Sequence, residues 1–155
     1  MRVIILLSLL YFISPALSQN PKWLSWRAQT KINAGAYQDA AVLYHRALAV
    51  DSAHYKSNLE LGKVFLYEFE LFDSSEFYIA RAMRHPLADQ DYGDHYARAL
   101  QLNENPSLAI MHYKLYQGYV INLKNNEALL ALADEHIKTC ENAIVGIEAQ
   151  HKVTT

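Results

Sequence analysis

The feature that most constrains this chain is a spacing. Tyr37, Ala40, Tyr44 and Ala47 follow one another at steps of three and four. The pattern returns as Phe72, Ser75, Ile79 and Ala82, and more loosely as Pro106, Ala109, Tyr113 and Tyr116. Steps of three and four place all four residues on one face of a helix. The central small residues stand at 40, 75 and 109, so the intervals are 35 and 34. A fixed period of this size marks stacked units, each burying its apolar face on the next.

A second helical pattern precedes each copy. It reads Leu24, Ala28, Ile32 in the first, Leu61, Gly62, Phe65 in the second, and Tyr96, Ala97, Leu100 in the third. Asn33-Ala34-Gly35 and Asn103-Glu104-Asn105-Pro106 are stop and restart signals between paired helices. Pro86 lies where the second copy ends and the third begins. Each unit is therefore helix, turn, helix. The small residues let two backbones approach where helices cross, with large residues filling the space beside them. Gly62 against Ala40, and Ala97 against Ser75, are the expected contacts.

The motifs Leu61-Gly62-x-x-Phe65 and Gly35-x-Tyr37-x-x-Ala40-x-x-x-Tyr44-x-x-Ala47 resemble the tetratricopeptide repeat (TPR), over about residues 21–119. The resemblance implies an all-α, right-handed α-solenoid of about three helix hairpins, near 21–54, 55–88 and 89–122. Arg27 and Lys31 depart from the large apolar residues usual in the family, and Pro106 and Tyr116 depart in the third copy. The middle copy needs one extra residue in its turn, around Tyr67 to Leu71. After Tyr119, Leu129, Leu132, Ala133, Ile137, Cys140, Ile144 and Ile147 keep a helical period. This predicts one amphipathic helix within 123–149, covering the apolar edge of the last repeat, and a tail over 150–155.

Residues 1–18 read as a secretory signal. Arg2 precedes an apolar run from Val3 to Ile13, Pro15 breaks it, and Ala16-Leu17-Ser18 supplies the small residues of a cleavage site. The run is short for a bilayer span, although an uncleaved anchor is the alternative. Cleavage leaves about 137 of the 155 residues, enough for one domain, and no second long apolar run. The mature chain is expected to begin near Gln19 and to be soluble. Loss of Arg2 moves the formal charge from −2 to −3, so there is no basic excess to neutralise phosphates and nucleic acid is not an expected partner. The single cysteine, Cys140, allows no internal disulfide, and Asn105-Pro106-Ser107 is no glycosylation acceptor. Both features fit a bacterial envelope better than a eukaryotic secretory route.

Chemistry is sparse. The seven histidines form no metal motif; His136 and Cys140, four apart, could share a helix face as two ligands or simply pack. Asp89, Asp91 and Asp94 surround Gly93 but lack the ordered ligands of a calcium loop, and suit a helix start. No nucleophile elbow or phosphate loop is present, so neither an enzyme nor a cofactor is expected. A metal-binding or hydrolytic protein using the histidines is the rival reading.

What remains is surface. From the family register, Gln29, Asn33, Leu59, Lys63, Tyr67, Asp94, Arg98 and Leu102 should line a concave groove for a protein or peptide segment, or form an ordinary solvated face. Tyr67 and Arg98 would be its anchors. Ser25, Glu60, Asp91 and His95 occupy the places where chaperone-tail-binding relatives carry a basic and amide set, so a carboxylate clamp is not expected. The resemblance implies a protein-interaction scaffold, and the signal segment implies export to the periplasm or outer membrane. A narrower resemblance is to the N-terminal TPR module of Bacteroidetes envelope proteins, in which a β-propeller and an OmpA-like domain follow. Some relatives of those proteins serve gliding or type IX secretion. The alternative it implies is a truncated module of such a component.

Overall fold

The computed structural model describes residues 20–86 and 92–154; the side chains of 151–154 are outside that description. The signal segment, Asp89 and Asp91 lie outside the described residues. Among the described residues seven helices follow in order: α1 (Pro21–Asn33), α2 (Tyr37–Val50), α3 (Tyr55–Tyr67), α4 (Phe72–Met83), α5 (Gly93–Leu102), α6 (Pro106–Val120) and α7 (Glu127–Thr154). Among the described residues there is no strand, and no helix is long and apolar enough to cross a membrane. Each helix packs on its neighbours in the chain, as α1/α2, α3/α4 and α5/α6 hairpins with α7 laid on α6.

Helix starts follow the repeat. Tyr37, Phe72 and Pro106 are each the first residue of a second helix. Two residues before each stands a residue with positive φ: Gly35 at 71°, Glu70 at 53° and Glu104 at 57°. The left-handed residue lets the chain reverse between paired helices. The extra residue of the middle copy is taken up in the Tyr67–Leu71 turn, where the Leu71 N–H donates to the Phe65 carbonyl. Asn20 caps α1 by accepting from the Lys22 and Trp23 amides, with Pro21 next to it; Asn105 and Pro106 repeat the device on α6.

All three copies bury the same positions. Ala40, Tyr44, Ala47, Ile79, Ala82, Ala109 and Tyr113 have no exposed surface, nor does Ser75. Ala28 and Ala97 of the first helices are equally closed. The closest contact of Gly62 differs from the sequence expectation. A Cβ on Gly62 would lie 2.5 Å from Ile79 Cγ1 and 3.2 Å from the Ser75 carbonyl oxygen. Gly62 thus packs most closely on the second helix of its own hairpin rather than on Ala40 of the preceding one. The reason is geometric: the tight turn forces paired helices closest together, so the smallest residues fall inside a pair.

The core runs as a strip. One cluster joins α1, α2 and the Leu61 of α3; a second joins Leu66, Ile79 and Ala99 across α3, α4 and α5. A third links Ala97, Leu100 and Tyr113 to Ile137 and Cys140 of α7, and a fourth sets Tyr116 and Val120 on Ala133. The departures Arg27 and Lys31 are surface contacts: the Arg27 guanidinium lies 4.8 Å over the Trp23 ring, and Lys31 pairs with Asp39 at 2.8 Å. α7 continues to Thr154, past the expected end at 149.

Candidate functional site

The first helices of successive hairpins meet on one side of the strip, where α1 touches α3 and α5 touches α7. The second helices meet on the other side, as where His45 of α2 sets its ring edge to Tyr78 of α4. Of the eight residues expected on the first-helix side, Leu59 is a core residue: it is 2% exposed and cannot touch a ligand. Its position on α3 turns it into the core, where a leucine gains most by burial. The other seven keep exposed surface.

These seven fall into groups. On α1, Gln29 donates to Asn33 and its own carbonyl oxygen accepts from the Tyr44 hydroxyl, both at 3.4 Å. On α3, Lys63 pairs with Glu60 at 3.4 Å, and Tyr67 is 50% exposed. The Tyr67 hydroxyl lies 2.8 Å from His95 Nδ1 on α5, with the two rings edge to face. Burial, with Asp94 nearby, pushes the Tyr67 hydroxyl up to about 12, so it stays a neutral hydroxyl. Arg98 donates to Gln101 at 3.1 Å, and the same Gln101 oxygen accepts from the buried Tyr113 hydroxyl at 2.8 Å. Leu102 borders a different feature, a groove of about 450 Å³ that also meets Pro106, Cys140 and Ile147.

The patch with most structure is therefore Tyr67, His95, Asp94 and Arg98. It offers one half-exposed aromatic ring, an imidazole and one charge of each sign. Such a surface can hold an extended segment by ring contact and hydrogen bonds; it offers no nucleophile with an adjacent base. Sequence reasoning singled out Tyr67, Asp94 and Arg98, noted His95 only as a departure from a carboxylate clamp, and did not place Gln101 or Tyr113 with them. The signal was present, since His95 lies 28 residues from Tyr67, but only the stacking of α3 on α5 joins them. Arg98 is also less free than an anchor should be, because it belongs to the network that satisfies Tyr113.

The remaining candidates resolve into packing positions. Cys140 is 1% exposed and burial pushes its thiol up. His136 sits with its ring 5.1 Å from Tyr113, and burial holds its imidazole below the usual value. Among the described residues no group of three or more His, Cys, Asp or Glu side chains could hold a metal. Ser25 is buried, and Glu60 is taken by Lys63.

No known family profile matches the chain, and no curated protein does. Several solved structures share its fold. The Yersinia enterocolitica type III secretion chaperone SycD, in complex with a peptide of the translocator YopD, is 16% identical with a TM-score of 0.67, over 77% of this chain and 91% of that one. The first TPR domain of human RPAP3 is 13% identical with a TM-score of 0.65, covering 81% and 98%. The MamA RS-1 ArsTM double mutant is 14% identical with a TM-score of 0.65, covering 88% and 78%. The chain is thus an all-α, TPR-like helical-repeat solenoid.

Proposed function

We propose that the protein is a non-enzymatic interaction scaffold, exported to the bacterial periplasm or outer membrane, that holds a segment of another protein on its first-helix side. The observation that carries this reading is Tyr67. A tyrosine half exposed, fixed by a 2.8 Å contact to His95 and flanked by Asp94 and Arg98, is a preset anchor. Rigid aromatic rings give contact area at small entropic cost, and they dominate binding hot spots. The likeness to SycD, whose structure holds a YopD peptide, supports a peptide-binding role for this type of stack. The signal-like segment at residues 1–18 supports export.

The experiment is in-cell crosslinking with a photoreactive residue at position 67, followed by identification of the adducts. A specific envelope protein, crosslinked at 67 and not from Val42 on the opposite side, is the expected result. Equal yields at both positions would refute the site, and recovery from the cytosolic fraction alone would refute the compartment.

A further inference from the structure

A cationic pocket lies away from the first-helix side, between the α2–α3 turn and the C-terminal end of α4. It measures about 290 Å³ and is lined by Ser52, Ala53, Arg81, Arg84, His85 and Pro86. Among the described residues no acidic side chain lines it. Arg81 is already held in place: its Nη2 donates to the Ser52 carbonyl oxygen at 2.6 Å, and its guanidinium lies 5.3 Å over the Phe77 ring. His85 stacks on Tyr55 at 4.8 Å. Neither Arg81 nor Arg84 forms an ion pair with a described residue. Asp51 stands in the same turn, where its carboxylate accepts from the Ala53 amide at 3.0 Å.

We infer that this pocket binds a phosphate group. The two guanidiniums bring two positive charges. The end of α4 opposes them with only about half a negative charge. A phosphate carries roughly −1.5 to −2 at neutral pH, which matches the pair. Guanidinium forks also fit oxyanion edges, and Arg81 loses little freedom on binding because two contacts already fix it. The pocket volume stands at the low end of ligand sites, with room for one phosphate group. The site is independent of the first-helix patch and does not rest on the scaffold reading.

The test is a two-dimensional amide NMR titration of the purified protein. Inorganic phosphate and glycerol 3-phosphate are compared with acetate and chloride at matched ionic strength. Saturable shifts of the Ala53, Arg84 and His85 amides are expected with phosphate, at least tenfold weaker in Arg81→Gln/Arg84→Gln. If Arg81→Gln disturbs the fold, the exposed Arg84→Gln alone should still weaken binding at least threefold. Saturation by both probes assigns any phosphate, and saturation by glycerol 3-phosphate alone assigns a phosphate monoester. Equal saturation by acetate, shifts that never saturate, or undiminished affinity in the folded variants would overturn the inference.

Discussion

Gly62 shows how tightly the hairpins are set. Adding a Cβ brings it within 2.5 Å of Ile79 Cγ1, 3.1 Å of the Ile79 amide nitrogen and 3.2 Å of the Ser75 oxygen. Ile79 is β-branched and stiff, and the other two atoms are backbone, so the helices themselves must part. Overpacking costs about 1–3 kcal/mol, against about 1 kcal/mol gained in helix propensity. Gly62→Ala should therefore lose up to about 2 kcal/mol in urea unfolding; a stabilised variant would mean the crossing is looser than described. Gly35 is a different case. It has open space around it, but its φ of 71° is left-handed. Gly35→Ala should lose roughly 1–2 kcal/mol through backbone conformation alone. Glu104 already bears that strain at 57°, so the control Glu104→Gly should gain stability rather than lose it.

At the scale of elements, α7 closes the stack through three contacts one turn apart: Ala133, Ile137 and Cys140, all buried. Ile137→Ala should cost about 2–5 kcal/mol by opening a cavity against Leu100 and Tyr113. Val145, 64% exposed on the same helix, should tolerate serine within about 0.5 kcal/mol. Equal midpoints for the two variants would remove α7 from the core. This level is also where sequence was most informative. The spacing that repeats at 37, 72 and 106 marks both the helix starts and the buried positions, because helical period and burial are one local pattern. Partnership between helices was read less well. Gly62 was assigned across hairpins because sequence shows which residues are small, not which helix they meet. Leu59 was assigned to the open side for a related reason: a family register fixes position to within a residue, and one residue turns a helix by about 100°. His95 and Gln101 joined the site only once α3, α5 and α6 were stacked.

Over the whole molecule, burial of ionisable groups sets the pH range of stability. Burial holds the imidazoles of His54, His112 and His136 below their usual value. The unfolded chain takes up these protons near pH 6.5 while the folded chain does not, so stability falls as pH drops through that value and below. His54 adds a structural reason, since its Nδ1 accepts from the Ser57 amide at the start of α3. Burial pushes the Tyr44 and Tyr113 hydroxyls up. The unfolded chain loses these protons near pH 10, so stability falls again above it. Thermal melting should give a plateau between about pH 7 and 8.5, ending where the unfolded chain begins to lose the Cys140 proton that burial retains in the folded one; a midpoint unchanged from pH 7 to 5 would contradict the burial of the histidines. The central claim is a protein-binding site around Tyr67, and its most direct test is capture of the crosslinked partner by Lys63→Ala/Tyr67→Ala. Lys63 replaces Arg98 in this pair because Arg98 supports Tyr113. The account predicts capture at least tenfold weaker, about 1.4 kcal/mol, with a melting midpoint close to that of the parent protein. A folded double variant that captures its partner as tightly as the parent would contradict it.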